Sequence, residues 1–149
     1  MLYLKGDCEE AFEYFQKALS AYEKIYGDEH LETAGTNSNI GNVLNKQGKY
    51  EEALEYFQKA LTAFEKAYGA EHPETAEVYN NIGTLLGNQA NYEKAIDFFL
   101  KAYLVGREKL GEEHPDTQRW LNNLRISYKQ AGKKNFDKWL AAQLTSRKD

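Results

Sequence analysis

Three histidines recur at equal intervals in the sequence, and each stands two residues before a carboxylate. The pairs are His30 with Glu32, His72 with Glu74, and His114 with Asp116. Histidine and carboxylate side chains together can bind zinc or carry out general acid–base catalysis. Whether they do so here depends on whether the fold brings the pairs together.

The spacing of these pairs argues against a shared metal or catalytic site. Successive histidines are 42 residues apart, so each belongs to a different copy of a repeat. With two helix layers per copy at ~8–10 Å each, neighbouring histidines should lie roughly 16–20 Å apart. Zinc ligands must all approach the ion to about 2 Å. We therefore interpret the histidines as helix-start residues and expect no metal, no cofactor and no catalytic residue.

The single cysteine, Cys8, is a second candidate for chemistry. It occupies the repeat position of Tyr50 and Tyr92, which faces inward on a helix, and no histidine stands near it in sequence. We expect a small buried thiol rather than a nucleophile. No glycine-rich phosphate-binding loop occurs either, since Gly27 and Gly69 mark repeat boundaries. The sequence therefore predicts a protein that is not an enzyme.

Asparagine is the remaining residue type with a candidate function. Asparagines crowd the predicted first helices of the repeats, although asparagine is a mediocre helix former. Two interpretations stay open. The side chains could hydrogen-bond between helices, especially Asn39, Asn81 and Asn123, which we place beside the core. Alternatively, they could hold the backbone of a bound peptide, because an amide offers both donors and an acceptor.

The composition is typical of a folded soluble protein and limits the classes of partner. Hydrophobic residues make up 42% and charged residues 28% of the 149 residues. No apolar run approaches the ~20 residues of a membrane span, and the opening MLYLKGDCEE becomes charged too early for a signal peptide. A single cysteine fits a reducing cytosol, and a net charge of −4 gives no support for nonspecific nucleic-acid binding. We expect a cytoplasmic protein without membrane or nucleic-acid partners.

The elements that position these residues repeat every 42 residues. GDCEEAFEYFQKAL from Gly6 returns as GKYEEALEYFQKAL from Gly48, as ANYEKAIDFFLKAY from Ala90 and, more weakly, as GKKNFDKWLAAQL from Gly132. The intervening halves, which begin EHLETA, EHPETA and EHPDTQ, match at the same interval. One interval shared by seven segments predicts a repeat array.

Each half-repeat has the periodicity of a helix. Apolar residues recur at three- and four-residue steps through the segment that ends at Gly69. The other half runs from about Pro73 to Gln89, and proline suits its first helical position. Gly48 and Ala90 mark the tight turns between halves. Each unit is therefore predicted to be a helix, a short turn and a second, longer helix.

Small residues predict where the helices approach each other closely. Gly41 and Gly83 lie in mid-helix, where glycine costs roughly 1 kcal/mol against alanine. This cost is explained if each glycine faces an alanine, Ala53 or Ala95, across a close helix contact. We expect the phenylalanine four residues after each alanine to wedge against the next unit.

These positions resemble a known repeat family. Gly41, Ala53, Phe57 and Ala60 match the tetratricopeptide pattern, and Gly83, Ala95, Phe99 and Ala102 repeat it. The unit is longer than the usual repeat of about 34 residues and resembles the repeats of kinesin light chains and their bacterial relatives. The resemblance implies an all-α fold, a right-handed α-solenoid of about 3.5 helix–turn–helix units, that acts by binding other proteins.

We expect a single array over residues 1–149. Its units are a half repeat at 1–27, repeats at 28–69 and 70–111, and a degenerate capping repeat at 112–149. MLYLKG aligns with VLNKQG from Val43, so the chain would begin in the last turn of a first helix. The helix from Asp7 to Tyr26 would then have an uncovered flank, with Phe12 and Leu19 among the candidates for exposure.

In the tetratricopeptide architecture the first helix of each unit lines the concave face, so the resemblance implies a groove there. Asn80 and Asn122 are the predicted contacts to the backbone of a bound peptide. The predicted groove residues are Ser38, Asn42, Asn45, Lys46, Glu77, Asn80, Thr84, Asn88, Arg119, Asn122, Ile126, Lys129 and Gln130.

The charge of this groove favours a particular partner. Lys46, Arg119 and Lys129 outnumber Glu77, so a peptide that contains acidic residues would be attracted to it. The sequence thus predicts a scaffold that binds a peptide or an extended segment of a protein. The alternative is a structural or self-assembly module that forms a homo-oligomer through the incomplete N-terminal repeat.

Overall fold

A computed structural model describes residues 5–146 of the chain as a series of packed helices. Seven helices and no strand occur among these residues, so the predicted all-α class is confirmed. Each helix packs on the one that follows it in sequence. The helices are α1 (Lys5–Tyr26), α2 (Leu31–Lys46), α3 (Tyr50–Tyr68), α4 (Pro73–Asn88), α5 (Tyr92–Lys109), α6 (Pro115–Gln130) and α7 (Phe136–Ser146).

The three histidines start the helices α2, α4 and α6. In each case the imidazole Nδ1 accepts a hydrogen bond from a backbone N–H two residues later. The distances are 3.1 Å from Glu32 to His30, 3.0 Å from Glu74 to His72, and 3.1 Å from Asp116 to His114. Such an acceptor satisfies one of the donors that a helix start leaves unpaired. The interpretation of the histidines as helix-start residues is confirmed.

The turns and helix ends rest on residues with positive φ. Gly48 and Ala90, at φ +78° and +60°, close the turns inside the two complete helix pairs. Gly69 follows the end of α3 at φ +88°, a conformation that glycine adopts without steric cost. The predicted boundaries at Gly48 and Gly69 are therefore confirmed, and α4 ends at Asn88, one residue before the predicted Gln89.

Within a repeat, a phenylalanine ring lies directly on a glycine. A Cβ added to Gly41 would be 2.5 Å from the Phe57 ring, and one added to Gly83 would be 2.8 Å from the Phe99 ring. The close approach expected at these glycines is confirmed. The rings, however, fill the contact inside their own helix pair, which corrects the expectation that they wedge against the next unit.

The contacts between repeats use two different residue pairs at equivalent positions. Phe64 of α3 and Val78 of α4 are both buried. In the next repeat these positions become Gly106 and Trp120, and a Cβ on Gly106 would lie 2.9 Å from the Trp120 ring. The large side chain of the contact is thus on the second helix at the boundary of α3 and α4, and on the following first helix at the boundary of α5 and α6. Sequence reasoning missed this exchange, although the repeat alignment contains it.

The N-terminal helix differs from its prediction in two respects. It begins at Lys5 and continues through Gly6, where the repeat alignment predicted a turn. Leu19 is only 6% exposed and Phe12 is half-buried, because this side of α1 packs on α2. The predicted last turn of a first helix, at MLYLKG, lies largely outside the described residues. Cys8 is buried, as expected.

The C-terminal helix packs less closely than the others. Arg125 and Asp137 stand where earlier repeats have glycine and alanine, and no residue of α7 is fully buried. An aromatic contact takes over, in which Tyr128 lies 5.3 Å from Phe136 and 4.9 Å from Trp139 between ring centroids. The Arg125 guanidinium lies over the Phe136 ring at 5.2 Å. We propose that this polar last unit is a cap, as the sequence predicts.

Candidate peptide-binding groove

The predicted groove residues lie on three helices that follow one another in the array. α2 carries Ser38, Asn42, Asn45 and Lys46; α4 carries Glu77, Asn80, Thr84 and Asn88; and α6 carries Arg119, Asn122, Ile126, Lys129 and Gln130. Among these helices, α4 contacts both α2 and α6 directly. The predicted residues therefore occupy neighbouring elements, and their exposure decides which of them can meet a partner.

A ladder of hydrogen bonds joins the three first helices. The side-chain amide nitrogen of Asn81 donates to Ser38 at 3.2 Å, Asn88 donates to Asn45 at 3.0 Å, and Asn123 donates to Asn80 at 2.9 Å. Each bond spans 43 residues, which is one residue more than the repeat. We call these three bonds the polar ladder. It fixes how far each first helix is displaced from the next.

The polar ladder occupies several residues that sequence analysis assigned to peptide contact. Asn80 is only 4% exposed, and Ser38 and Asn45 are also buried. The interhelix interpretation is confirmed for Asn81 and Asn123. Asn39 is exposed rather than beside the core, and no hydrogen bond of its side chain occurs among residues 5–146. The burial of Asn80 gives no support to its predicted contact with a peptide backbone.

The exposed part of the predicted set forms a face on α6. Asn122, Ile126, Lys129 and Gln130 follow the spacing of one helix face and are all exposed. Within residues 5–146 none of the side chains of Asn122, Lys129 and Gln130 has a hydrogen-bond or ion-pair partner. We call these four residues the α6 face. It presents amides, a cation and an apolar side chain to solvent.

Two further predicted residues, Lys46 and Thr84, are also exposed. The Thr84 hydroxyl donates to the backbone oxygen of Asn80 in the same helix at 3.0 Å. Lys46 lies in the last turn of α2, where a cation interacts favourably with the helix dipole. Both residues therefore remain accessible from solvent beside the polar ladder.

Arg119 is held by two carboxylates rather than free to bind a ligand. Its guanidinium lies 2.7 Å from Glu77 and 3.2 Å from Asp116, and Glu77 also accepts the Trp120 indole N–H at 3.1 Å. Burial acts to lower the pKa of Arg119, but its hydrogen bonds and charge interactions with the two carboxylates outweigh this and raise the pKa. Arg119 therefore contributes little to the positive excess that the sequence predicted for the groove.

A depression of about 260 Å³ lies between α2 and α4. It brings together three predicted residues, Ser38, Asn42 and Glu77, and adds residues that sequence analysis did not assign to the site. The added residues are Gly35, Asn39, Phe64, Glu74, Val78 and Asn81. Gly35 has no side chain to fill the space, which was a signal available in the sequence.

Neither a metal site nor a membrane span is present in the part of the chain that the structure describes. Within residues 5–146 there is no group of three or more His, Cys, Asp or Glu side chains that could hold a metal ion. Across the same residues no helix combines the length and apolarity needed to cross a bilayer.

Sequence comparison with known families agrees with this geometry. Two family models, both described as tetratricopeptide repeat, match residues 1–32 and 32–103. The chain belongs to the tetratricopeptide repeat family. Such repeats form scaffolds for protein–protein interaction and are typically not enzymes. No protein of curated function matches the sequence.

Solved structures of tetratricopeptide repeat (TPR) proteins have the same fold. BtubC (BKLC) from P. vanneervenii has a TM-score of 0.78 at 26% identity, covering 85% of this chain and 51% of that one. A candidate kinesin light chain from Podosopora anserina, with nearly identical TPR-like repeats, has a TM-score of 0.77 at 18% identity. That match covers 86% of this chain and 61% of the other. The predicted α-solenoid, similar to kinesin light chain repeats, is confirmed.

The TPR chain spans only part of these relatives. It covers about half the length of BtubC and about three fifths of the Podosopora protein. The second likeness, at 18% identity, concerns the fold alone.

Proposed function

We propose that this TPR array binds an extended peptide with acidic residues along the exposed side of α2, α4 and α6. The observation that carries the proposal is the α6 face. Its Asn122 and Gln130 amides are exposed and unpaired within residues 5–146, beside the exposed Lys129 and Ile126. An unpaired amide can pair with a peptide backbone without competing with an existing bond.

The polar ladder supports this surface rather than forming it. Because Asn80 is buried and bonded to Asn123, the proposal assigns direct backbone contact to Asn122 and gives Asn80 the role of fixing α6 against α4. The depression between α2 and α4 adds Asn42 as a further contact. A rigid groove of this kind loses little entropy when it binds.

Charge selects the partner in this proposal. Lys129 on α6 is exposed and has no ion-pair partner within residues 5–146, whereas Arg119 is neutralised by Glu77 and Asp116. Acidic side chains of a peptide would be attracted by Lys129, and this attraction would weaken at high salt.

The test is a selection from a random peptide library, followed by affinity measurements on the selected peptides. We expect them to be rich in Asp and Glu. The double variant Asn122→Ala with Lys129→Glu should bind them about tenfold or more weakly, because it removes a hydrogen bond and reverses a charge. Lys17→Glu on α1 makes the same charge change away from the groove and should leave affinity unchanged. Equal affinity of the groove variant and the original chain would sink the proposal.

A second candidate function is self-association through α1. Tyr14 and Ile25 are each 69% exposed, and together with Ala18 and Ala21 they follow a four–three–four spacing on one helix face. Two of the equivalent residues of α3, Ala60 and Ala63, are buried against neighbouring helices. The two middle positions of this stripe are thus buried on α3 but half-buried at Ala18 and exposed at Ala21 on α1.

A further inference from the structure

A cavity of about 410 Å³ lies between α1, α2 and α3, which is within the size range of ligand sites. Asn37 of α2 lines it and is only 4% exposed. The side-chain oxygen of Asn37 has no hydrogen-bond partner among the described residues, and an unpaired buried acceptor is unfavourable. The lining residues are Glu23, Asp28, Glu29, Thr33, Asn37, Gln58, Lys59, Thr62 and Ala63.

The next repeat shows which group fits this space. Tyr79 stands 42 residues after Asn37, and its ring is buried between α3 and α5. Its hydroxyl donates to Glu65 at 3.1 Å, and the Lys101 ammonium lies 5.5 Å from the centre of its ring. The equivalent environment in the array therefore encloses a phenol.

The first repeat keeps the parts of this environment that surround the ring. Glu23 stands at the position of Glu65, and Lys59 at that of Lys101. Lys59 lies 5.2 Å over the Tyr56 ring, as Lys101 lies 5.2 Å over Phe98.

The wall of the cavity is more polar than the equivalent wall in the next repeat. Gln58 and Thr62 on α3 replace Leu100 and Leu104, which are apolar residues at the same positions of α5. These substitutions make the wall more polar, and the exchange of tyrosine for the shorter asparagine accounts for a cavity at one repeat and a filled core at the next.

We propose that this cavity binds a tyrosine side chain of a partner protein. The ring enters from solvent with its hydroxyl first, lies below the Lys59 ammonium as Tyr79 lies below Lys101, and donates to the unpaired oxygen of Asn37. A cation over an aromatic face is attractive, and the buried acceptor gains the partner it lacks.

The mouth of the cavity is acidic, so the partner tyrosine should have basic neighbours. Glu29 is paired with Lys66 at 2.8 Å. Glu23 and Asp28 have no ion-pair partner among the described residues. A lysine or arginine next to the tyrosine would be attracted to them.

This site is separate from the proposed groove. Asn37 precedes Asn42 by five residues, which places the two side chains roughly 140° apart around the axis of α2. The two sites also prefer opposite charges.

The first experiment titrates the protein with 4-methylphenol, the side chain of tyrosine, and follows the backbone amides by two-dimensional NMR. We expect shifts confined to residues around the cavity and a Kd on the order of 1 mM. Toluene, which cannot donate, should bind about fivefold more weakly. No shift up to about 10 mM would overturn the proposal.

Three variants test the location. Asn37→Tyr places a ring in the cavity from within, as Tyr79 does, and should abolish binding of 4-methylphenol. Thr62→Phe adds a ring to the same space from an exposed position of α3, so it tests the site even if Asn37→Tyr does not fold. Tyr79→Ala should open a second binding site between α3 and α5. Binding to the filled variants as tight as to the original chain would disprove the assignment.

The peptide Ac-Gly-Lys-Tyr-Lys-Gly-amide tests the partner class. It should bind more tightly than the same peptide with glutamates in place of the lysines, or with phenylalanine in place of tyrosine. The groove variant Asn122→Ala with Lys129→Glu should bind it unchanged, which separates this proposal from the peptide groove. Equal binding of the lysine and glutamate peptides would refute the acidic mouth as the source of selectivity.

Discussion

At the scale of single residues, the protonation of Tyr79 is coupled to the fold. Burial raises its pKa to about 12, with further contributions from the hydrogen bond to Glu65 and from the charge of that carboxylate. Tyrosine in an unfolded chain ionises near an ordinary pKa of about 10. Because the folded pKa is the higher one, the stabilisation by Tyr79 is complete below about pH 10 and is lost as the pH rises through 12.

Tyr79→Phe should reveal this loss. At about pH 8 the variant should be less stable than the original chain by about 1–2 kcal/mol, because it lacks a hydrogen bond to a carboxylate. At about pH 11.5 the difference should shrink, since only tyrosine ionises. Urea unfolding at both pH values measures this difference in the free energy of unfolding. Glu65→Gln should weaken the pH dependence, because it removes the charge. An identical difference at both pH values would contradict this account.

The histidines show how far a sequence motif predicts a residue's role. Their regular spacing and the proline after two of them were sufficient to place them at helix starts. The ring stacking of His30 on Tyr26 at 4.1 Å, and of His72 on Tyr68 at 4.0 Å, was not predicted. It depends on how the preceding helix ends, and that geometry is tertiary rather than local.

At the scale of helices, the glycines of α4 differ in what surrounds them. A Cβ on Gly83 would meet the Phe99 ring at 2.8 Å, whereas a Cβ on Gly87 would meet nothing within 4 Å. Both residues lie in the same helix, and both lack the helix propensity of alanine. Substitution of Gly87 is therefore a control, within the same helix, for the effect of packing at Gly83.

Gly83→Ala should destabilise the protein by about 1–3 kcal/mol, because the ring of Phe99 must move. Gly87→Ala should instead stabilise it by up to about 1 kcal/mol through helix propensity. Thermal or urea unfolding of both variants decides between these effects. If the two substitutions change stability in the same direction, the close contact at Gly83 is not what requires glycine there.

The helices were largely predictable from sequence, and the exceptions have a common cause. Periodicity and turn residues placed the end of α3 and both ends of α4 to within a residue, since both signals are local. The burial of Leu19 and Asn80 depends instead on which helix lies beside them, and one sequence period cannot distinguish a face toward solvent from one toward a neighbour. Gly106 was missed for the same reason, because its partner Trp120 lies on another helix.

The repeat alignment also did not predict where α7 begins. Lys134 occupies the position at which α5 begins, yet α7 begins at Phe136, after Asn135 adopts a φ of +63°. The later start brings Phe136 and Trp139 against Tyr128. A weak copy of a repeat thus preserves the helix but not its register.

At the scale of the whole molecule, the polar ladder stabilises contacts between repeats, and the apolar contacts of the phenylalanines stabilise each helix pair. The ladder joins α2, α4 and α6 directly, whereas Phe57 and Phe99 hold each first helix to its own second helix. Neighbouring units in such an array stabilise each other. The ladder therefore shapes the proposed groove by fixing the spacing of the helices that form it.

Self-association through α1 is a property of the whole chain, and light scattering tests it. If the exposed stripe with Tyr14 and Ile25 is an interface, the measured mass should double across micromolar concentrations. Ile25→Lys should restore the monomer, because a charge would be buried in the contact. Ile126→Lys makes the same change on the α6 face and should not. A monomeric mass at all concentrations would exclude this mode of assembly.

The large side chain at a repeat boundary is Phe64 on α3 in one case and Trp120 on α6 in the next, and this difference fixes the order in which the repeats can follow one another. Excision of residues 70–111 would join two copies whose turns and helix starts match. It would also bring Phe64 to the place of Gly106, opposite Trp120, so that two large rings would meet where the protein has one. Duplication and recombination can lengthen an array of this type, but copies that look interchangeable in an alignment cannot be shuffled freely.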